Sequence, residues 1–247
     1  MIKLVSIELT NKCAKQCFFC YNESKKTGDT LWKVSELVGL VKDMSNNGVE
    51  AVSFGGGEPL EFEPIFELLE KTKGLLFRSI TTNGLKLTEA NNFERLINAK
   101  PEKVHISIHF PENKTEVRRV KNQVNKISEE GIISGVNLLI RNDNIPFARA
   151  ASDYLKTEGI DKNRIVYLPM RMKKPVSSEA VKYVANDSQF QSISCLNACG
   201  ISKRFCSISW DKRIAWCSYT SSKKQLTELN YIELKNSLNN LNLKYCG

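Results

Sequence analysis

The sequence predicts an α/β fold, a partial (β/α)6 TIM-like barrel followed by a small cysteine-rich C-terminal domain. Short β-branched segments alternate with amphipathic ones at intervals of roughly 25–30 residues, the spacing that right-handed βα units need. Six such units occur, fewer than the eight of a complete barrel. The cysteines lie only near the two ends of the chain, which sets its last part apart. We expect the barrel in residues 1–187 and the cysteine-rich domain in residues 188–247.

The predicted elements follow one another in strict alternation. Strands are expected at Leu4–Thr10, Ala51–Gly55, Leu76–Thr81, Lys103–Phe110, Gly135–Ile140 and Arg164–Pro169. Helices are expected at Leu31–Ser45, Phe62–Lys73, Glu89–Asn98, Lys114–Glu130, Ile145–Glu158 and Val176–Asp187, because apolar residues recur there at helical spacing. In the last part, two short strands at 208–210 and 214–216 flank a turn, and a helix is predicted at Leu229–Leu241.

The predicted strands carry polar residues on one face. In residues 104–110 the even positions are apolar and the odd positions are polar. A strand in a parallel sheet is buried on both faces and is usually a continuous apolar run. The pattern therefore predicts a hydrated or ligand-filled lumen. The alternative is the solvent-facing side of an antiparallel sheet, which the intervening helices disfavour.

Composition excludes several classes of protein. The chain has 247 residues, 41% of them hydrophobic and 26% charged, which is typical of a folded globular protein. No apolar run approaches the roughly 20 residues that span a bilayer. The first ten residues alternate in polarity, unlike a signal peptide, so we expect a mature, cytoplasmic protein without a preceding leader-binding domain. The net charge of +9 fits either a solvated basic surface or an anionic partner.

Three cysteines follow the first predicted strand within eight residues: Cys13, Cys17 and Cys20. Disulfides are rare in a reducing compartment, so clustered cysteines indicate a metal site there. Three thiolates can bind three irons of a [4Fe–4S] cluster, which leaves the fourth iron without a local protein ligand. The alternative is a zinc ion with a distant fourth ligand.

These motifs resemble those of the radical S-adenosylmethionine (radical SAM) superfamily. C-x3-C-x2-C with Phe19 before the last cysteine is similar to its signature, and residues 55–59 resemble its GGEP motif. Thr82-Asn83-Gly84, and the stretch from Ser107 to Phe110 followed by Arg118 and Arg119, resemble further motifs of the family. His109 stands where many relatives have aspartate, which departs from the pattern.

The resemblance implies a cofactor pair and a chemistry. A [4Fe–4S] cluster would be held by the three cysteines, and S-adenosylmethionine would be cleaved to a 5′-deoxyadenosyl radical that abstracts a substrate hydrogen. Phe19 would lie near the adenine. The methionine end would be held by Gly55, Gly56, Gly57 and Glu58. Ser107, Asn137 and Arg118 would reach the ribose or the carboxylate.

Five further cysteines follow the barrel: Cys195, Cys199, Cys206, Cys217 and Cys246. The segment from Cys206 to Cys217 resembles the start of SPASM and twitch domains, which hold auxiliary iron–sulfur clusters, although Lys212 replaces a glycine of that pattern. We expect a twitch-like domain with one auxiliary [4Fe–4S] cluster, bound by Cys206, Cys217 and Cys246 with Cys195 or Cys199 as the fourth ligand. A structural zinc ion is the alternative.

The expected function is hydrogen abstraction from a peptide during RiPP-type maturation. One alternative is oxidation of a small alcohol, sugar or nucleotide, with the auxiliary cluster as electron acceptor. Another is a non-catalytic, zinc-bound nucleic-acid or scaffold protein, although no RNA-binding module is recognisable. The catalytic residues are not identified; His109, Glu8 and Tyr167 are candidates by position, and Arg141 is a candidate wall residue. A flavodoxin or ferredoxin is expected as electron donor, with no membrane or nucleic-acid partner.

Overall fold

The computed structural model describes residues 1–171, 175–186 and 200–243. They form two compact units. The first unit holds Met1–Thr82, Thr88–Lys103 and the described residues from Ile201 onward. The second holds Asn83–Leu87 and the described residues between Val104 and Gly200.

Strands and helices alternate along the chain until the last part. The strands are β1 Leu4–Thr10, β2 Ala51–Gly56, β3 Phe77–Thr82, β4 Lys103–Ile108, β5 Ile133–Ile140, β6 Ile165–Pro169, β7 Phe205–Ile208, β8 Arg213–Ala215 and β9 Lys224–Gln225. The helices are α1 Val34–Asn46, α2 Ile65–Lys71, α3 Ala90–Ala99, α4 Lys114–Glu129, α5 Ile145–Thr157, α6 Ser178–Ala185 and α7 Tyr231–Asn239. The protein is an α/β fold of the partial TIM-like barrel type.

In the first unit the strands lie in the order β3-β2-β1-β7-β8-β9. β1 is parallel to both β2 and β7, whereas β7, β8 and β9 are joined by antiparallel pairing. Valine, isoleucine and leucine at odd positions of β1 are fully buried. Helix α1 contributes the buried side chains of Leu37, Val41 and Met44 to the core. These apolar contacts hold β1 rigidly, and the loop that follows it carries the first cysteines.

In the second unit β5 pairs in parallel with β6, and Asn137 is the register partner of Val166. Helix α4 is preceded by its N-cap Asn113, whose side chain accepts hydrogen bonds from the amides of Thr115 and Glu116. Such an N-cap satisfies amides that have no partner within the helix. The other residues of β5 next to Asn137, Val136 and Leu138, are fully buried.

The six predicted βα units are confirmed, with shifts of up to three residues at their ends. The first hairpin strand was expected at 208–210, but β7 covers Phe205–Ile208. Its position is decided by parallel pairing to Leu4–Ile7 of β1, a partner that local sequence does not reveal. The described residues from Ile201 onward belong to the same compact unit as the N-terminal strands. Among the described residues, no helix has the length and apolar character needed to cross a membrane.

Candidate cofactor site

The cysteine loop is held by its own backbone hydrogen bonds. The amide of Cys13 donates to the carbonyl of Lys25 at 2.9 Å, and the amide of Cys20 donates to the carbonyl of Cys17 at 3.0 Å. All three cysteines are half-buried. Burial raises the pKa of the Cys13 thiol, opposed in part by hydrogen bonds from the backbone of Lys15. The thiols are thus preplaced on one loop immediately beyond β1.

The glycine-rich loop after β2 is fastened to the chain that leads into the cysteine loop. The amide of Gly57 donates to the carbonyl of Thr10 at 2.6 Å, and the amide of Glu58 donates to the carbonyl of Lys12 at 2.8 Å. In addition, the amide of Ala14 donates to Glu61 Oε1 at 2.8 Å. The structure therefore brings together the two motifs that are 35 or more residues apart in the sequence.

Each of the three glycines has a different surrounding. A Cβ on Gly56 would lie 2.6 Å from the Thr10 carbonyl oxygen, and its φ of +116° is disfavoured for other residues. A Cβ on Gly57 would lie 2.2 Å from the Lys12 carbonyl oxygen. Both glycines thus permit the close approach of the loops. Nothing lies within 4 Å of the place where a Cβ on Gly55 would be, so the space beside this glycine is open.

Glu58 turns its carboxylate inward. Its Oε1 accepts hydrogen bonds from the hydroxyl of Thr82 at 2.6 Å and from the amide of Leu60 at 3.1 Å. The side chain thus fixes the loop, while the backbone of the glycines is the part that can face a ligand. Phe19 is half-buried, and its ring meets that of Phe18 edge-on with centroids 4.8 Å apart.

Glu8 is a buried carboxyl group on β1, with 2% of its surface exposed. The hydroxyl of Tyr21 donates to its Oε1 at 3.4 Å, and within the described part of the chain Oε2 has no hydrogen-bond partner. Burial raises the pKa of Glu8 to about 7, with the Lys223 charge opposing the shift. The ring of Tyr21 packs on that of Tyr219, 4.5 Å between centroids.

In the second unit, His105 and Asn137 form a buried pair. The His105 Nδ1 and Asn137 Oδ1 atoms are 2.8 Å apart, and Ser107 is buried on the same strand as His105. The ring of His105 has room because residue 135 is glycine: a Cβ there would lie 2.7 Å from Nε2. Sequence reasoning named Ser107 and Asn137 but missed His105. The signal was present, because His105 belongs to the same polar alternation as Ser107.

The two neighbouring arginines of α4, Arg118 and Arg119, have different environments. Arg118, the predicted site residue, is exposed. Arg119 instead donates to the carbonyl of Asn83 at 3.1 Å and to Gln123 Oε1 at 2.8 Å. It thereby braces the Thr-Asn-Gly turn. Val117 and Val120 are both buried, and the positions of the two arginines on the helix relative to these valines could have distinguished Arg118 from Arg119.

The other predicted catalytic and wall residues are engaged in structural contacts. The amide of His109 donates to Glu116 Oε1 at 2.7 Å. The Tyr167 hydroxyl is buried 2.8 Å from Ser152 Oγ of α5, so its position gives no support to a proton-transfer role. The guanidinium of Arg141 binds Glu112 and Asp143 at 2.9 Å each, which weakens the expectation that it receives a substrate anion.

Two of the five C-terminal cysteines lie among the described residues. Cys206 is fully buried in β7 as the register partner of Val5, and burial raises the pKa of its thiol to about 12. Cys217 is half-buried beyond β8. Between them, Lys212 adopts a φ of 62°, so it takes up the left-handed conformation that favours glycine. The remaining cysteines, Cys195, Cys199 and Cys246, lie outside the described residues.

The donor set after β1 fits an iron–sulfur cluster. Among the described residues, no three histidine, cysteine, aspartate or glutamate side chains converge on a point that could hold a single metal ion. A [4Fe–4S] cluster has a different requirement, because each cysteine binds a different iron and the thiols stand apart. Three cysteines on one loop satisfy that requirement, and the glycine-rich loop that is hydrogen-bonded to the start of this loop has open space beside Gly55.

A partial α/β barrel with this cysteine loop and glycine loop defines an iron–sulfur enzyme class that uses S-adenosylmethionine. The profile of the Radical SAM superfamily matches residues 7–171. The chain therefore belongs to the radical SAM superfamily and is an enzyme whose cofactors are a [4Fe–4S] cluster and S-adenosylmethionine.

Curated relatives include the probable GTP 3′,8-cyclase of Methanocaldococcus jannaschii, 28% identical over 182 residues, 69% of this chain and 60% of the relative. The probable GTP 3′,8-cyclase of Thermococcus kodakarensis is 33% identical over 105 residues, 42% of this chain and 34% of the relative. The chain thus spans about 60% of the length of the Methanocaldococcus jannaschii relative.

Among solved structures, Streptococcus suis SuiB bound to S-adenosylmethionine superposes with a TM-score of 0.69 at 17% identity, over 91% of this chain and 63% of that one. anSMEcpe with bound AdoMet gives a TM-score of 0.68 at 13% identity, over 94% of this chain and 77% of that one. Both proteins have also been solved with bound peptides. At these identities the likeness establishes the shared fold.

Proposed function

We propose that this enzyme cleaves S-adenosylmethionine reductively and uses the resulting radical to abstract a hydrogen atom from a peptide. The observation that carries the first part is the junction of the two loops, made by the Gly57–Thr10 and Glu58–Lys12 hydrogen bonds. It joins the loop that carries the three cysteines to the glycine-rich loop, which has open space beside Gly55. When bound, the cluster supplies the electron that cleaves the sulfonium and yields the 5′-deoxyadenosyl radical.

The chain's own residues bind and orient the cofactors. Cys13, Cys17 and Cys20 are the cluster ligands of the proposal. The backbone of Gly55 and its neighbours receives the methionine end of S-adenosylmethionine, while Glu58 and Thr82 hold that backbone in place through their 2.6 Å hydrogen bond. A preformed site of this kind spends little binding energy on ordering its loops.

In the second unit, Asn137 and Ser107 are proposed to contact the ribose or the carboxylate. The buried contact with His105 fixes the amide of Asn137, so the orientation of that side chain does not have to be selected on binding. Arg118 is exposed on α4, whereas Arg119 donates a hydrogen bond to the carbonyl of Asn83 in the Thr-Asn-Gly turn.

An auxiliary iron–sulfur cluster remains part of the proposal. Lys212, at the glycine position of the twitch pattern, has a φ of 62°, in the left-handed region that favours glycine. Burial disfavours the thiolate form of Cys206. A cysteine must be deprotonated to bind a metal, so binding of the cluster by Cys206 would have to supply the free energy of this deprotonation.

A peptide is the favoured substrate because the peptide-bound structures SuiB and anSMEcpe superpose over 91% and 94% of this chain. The second candidate is a purine nucleotide, since the curated relatives are named probable GTP 3′,8-cyclases. The net charge of +9 is compatible with either an acidic peptide or a nucleotide.

Cofactor chemistry is tested by anaerobic reconstitution followed by measurement of 5′-deoxyadenosine after addition of dithionite. The wild-type enzyme is expected to form it, and Cys17→Ala is expected to lose both iron and product. Lys26→Ala, an exposed change in the same loop, is the matched control and should retain both. A wild-type protein that binds zinc without sulfide would contradict the proposal.

The substrate class is tested by incubation with GTP or with a library of peptides, in deuterium-labelled form where available. Transfer of deuterium from a peptide into 5′-deoxyadenosine, with a mass change in that peptide, would support the favoured substrate. Formation of a cyclised nucleotide from GTP would instead establish the second candidate.

A further inference from the structure

We propose that the auxiliary metal is bound without Cys206, which is instead a packing residue of the core, on the opposite face of the sheet from Cys217. The inference rests on the auxiliary cluster of the proposed function and deepens it, because it removes one of the five candidate ligands. Sequence spacing favoured both Cys206 and Cys217 as ligands, whereas strand pairing sends their side chains to different sides of the sheet.

Cys206 belongs to an apolar layer on one face of the sheet. β7 pairs in parallel with β1, and Cys206 is the register partner of Val5. Register partners present their side chains on the same face, and successive residues of a strand point to opposite faces. Ile208, two residues further along β7, therefore shares this face, as does its partner on β8, Ile214. All four side chains are completely buried, so Cys206 takes the place of an apolar core residue.

The residue before Cys217 continues this layer. Trp216 lies two residues after Ile214, and its indole nitrogen donates to the carbonyl of Leu241 at 3.0 Å, just beyond the end of α7. Helix α7 also contacts β8. The side chain of Trp216 is therefore on the side of α7. Because neighbouring residues of an extended chain point in opposite directions, Cys217 is directed to the other side of the sheet.

A contact between two tyrosines independently supports this side for Cys217. The ring of Tyr219, two residues after Cys217, packs on that of Tyr21 with centroids 4.5 Å apart, and the hydroxyl of Tyr21 donates to Glu8 at 3.4 Å. On β1, Glu8 lies three residues after the register partner of Cys206, so the two side chains are on opposite faces. The segment after β8 thus packs against the cysteine loop on the face away from Cys206.

A metal centre needs ligands that converge on it. Thiols on opposite faces of one sheet cannot meet at a single zinc ion or cluster unless the pairing of β7 with β1 is broken. Without Cys206, four C-terminal cysteines remain in the sequence, and four is the number of thiolates that one [4Fe–4S] cluster or one zinc ion binds. The assignment of Cys206 to the core therefore leaves enough ligands for one auxiliary metal.

The test is analysis of iron, sulfide and zinc in the anaerobically reconstituted full chain, with circular dichroism as the check on folding. Cys206→Val keeps an apolar side chain of similar volume in the core, so it is expected to hold the same metal and sulfide as the wild type. Cys217→Ala is the matched comparison and is expected to lose the auxiliary metal. Loss of the auxiliary metal from a folded Cys206→Val protein would overturn the inference.

Alkylation of the wild type by iodoacetamide, mapped by peptide mass spectrometry, tests the same point if Cys206→Val fails to fold. After the metals are removed by chelation, the half-buried Cys217 is expected to react in native buffer, and the fully buried Cys206 only in guanidinium chloride. Reaction of Cys206 as fast as Cys217 in native buffer would overturn the inference. A wild type with about four irons and no zinc would instead contradict the auxiliary metal of the proposed function, and the alkylation pattern would still decide whether Cys206 belongs to the core.

Discussion

The amide of Glu58 donates a 2.8 Å hydrogen bond to the carbonyl of Lys12, and this bond joins the glycine-rich loop to the start of the cysteine loop. Gly57 lies so close to the same carbonyl that a Cβ would be 2.2 Å away. The two loops therefore form one structural element, and a change in either should disturb both cofactors.

Gly57→Ala is expected to abolish binding of S-adenosylmethionine while leaving the fold intact. The added methyl group would collide with the Lys12 backbone, so the loops must separate. Isothermal titration and circular dichroism measure the two effects. Gly39→Ala is the control: it is exposed in α1 with nothing within 4 Å of the added atom, and should stabilise the helix by up to about 1 kcal/mol. Normal binding by Gly57→Ala would contradict the close packing described above.

Glu102→Gln is expected to destabilise the first unit by about 3–5 kcal/mol, because it leaves a buried charge unpaired. Arg78 is fully buried, and its guanidinium binds both carboxylate oxygens of Glu102 at 2.7 and 2.9 Å. Urea denaturation gives the free energy of unfolding. Arg204→Ala is the control, since Arg204 is exposed and lies 3.9 Å from Glu50. Equal stability of the two variants would show that the Arg78 charge is not buried in solution.

The stability of the enzyme without S-adenosylmethionine is expected to fall with rising pH on account of Glu8. Its pKa is raised from 4.5 to about 7 on folding, so the folded state holds the extra proton. This contribution is complete below pH 4.5 and is lost as the pH passes through 7, a change of about 3 kcal/mol.

Glu8→Gln has no proton to lose at this position. Its melting temperature relative to the wild type should therefore be higher at pH 8 than at pH 5, measured by anaerobic scanning fluorimetry. A constant difference across this range would mean that Glu8 does not titrate there.

Loss of Cys217 is expected to halve the iron content if the auxiliary cluster exists. The wild type should hold about eight irons and eight sulfides per chain, and Cys217→Ala about four of each, with the loop of Cys13–Cys20 still loaded. Iron and sulfide assays with electron paramagnetic resonance distinguish the clusters. About four irons and one zinc in the wild type would favour the structural zinc ion instead.

The cofactor loops were predictable because their residue types are local in the sequence. Cys13, Cys17 and Cys20 lie on one turn of chain, and the glycines of residues 55–57 follow a strand that is recognisable by its β-branched residues. The spacing of apolar residues and the positions of turn residues likewise predicted the six βα units. Strands and helices of this length are determined largely by side chains that are close in the sequence.

Long-range pairing could not be predicted in the same way. Local sequence placed the first hairpin strand too late, since the register of β7 depends on β1, about 200 residues away. The choice between Arg118 and Arg119, and the partner of Asn137, depended on which side chains other elements bring near.

The sequence by itself thus determined the class of enzyme, its two cofactors and the order of the elements that hold them. Only the tertiary structure decided that Glu8 is buried opposite Gly55, with one oxygen lacking a partner among the described residues. The physical reason is that motifs are short and carried by covalent neighbours, whereas burial and ionisation depend on groups that folding brings together from distant parts of the chain.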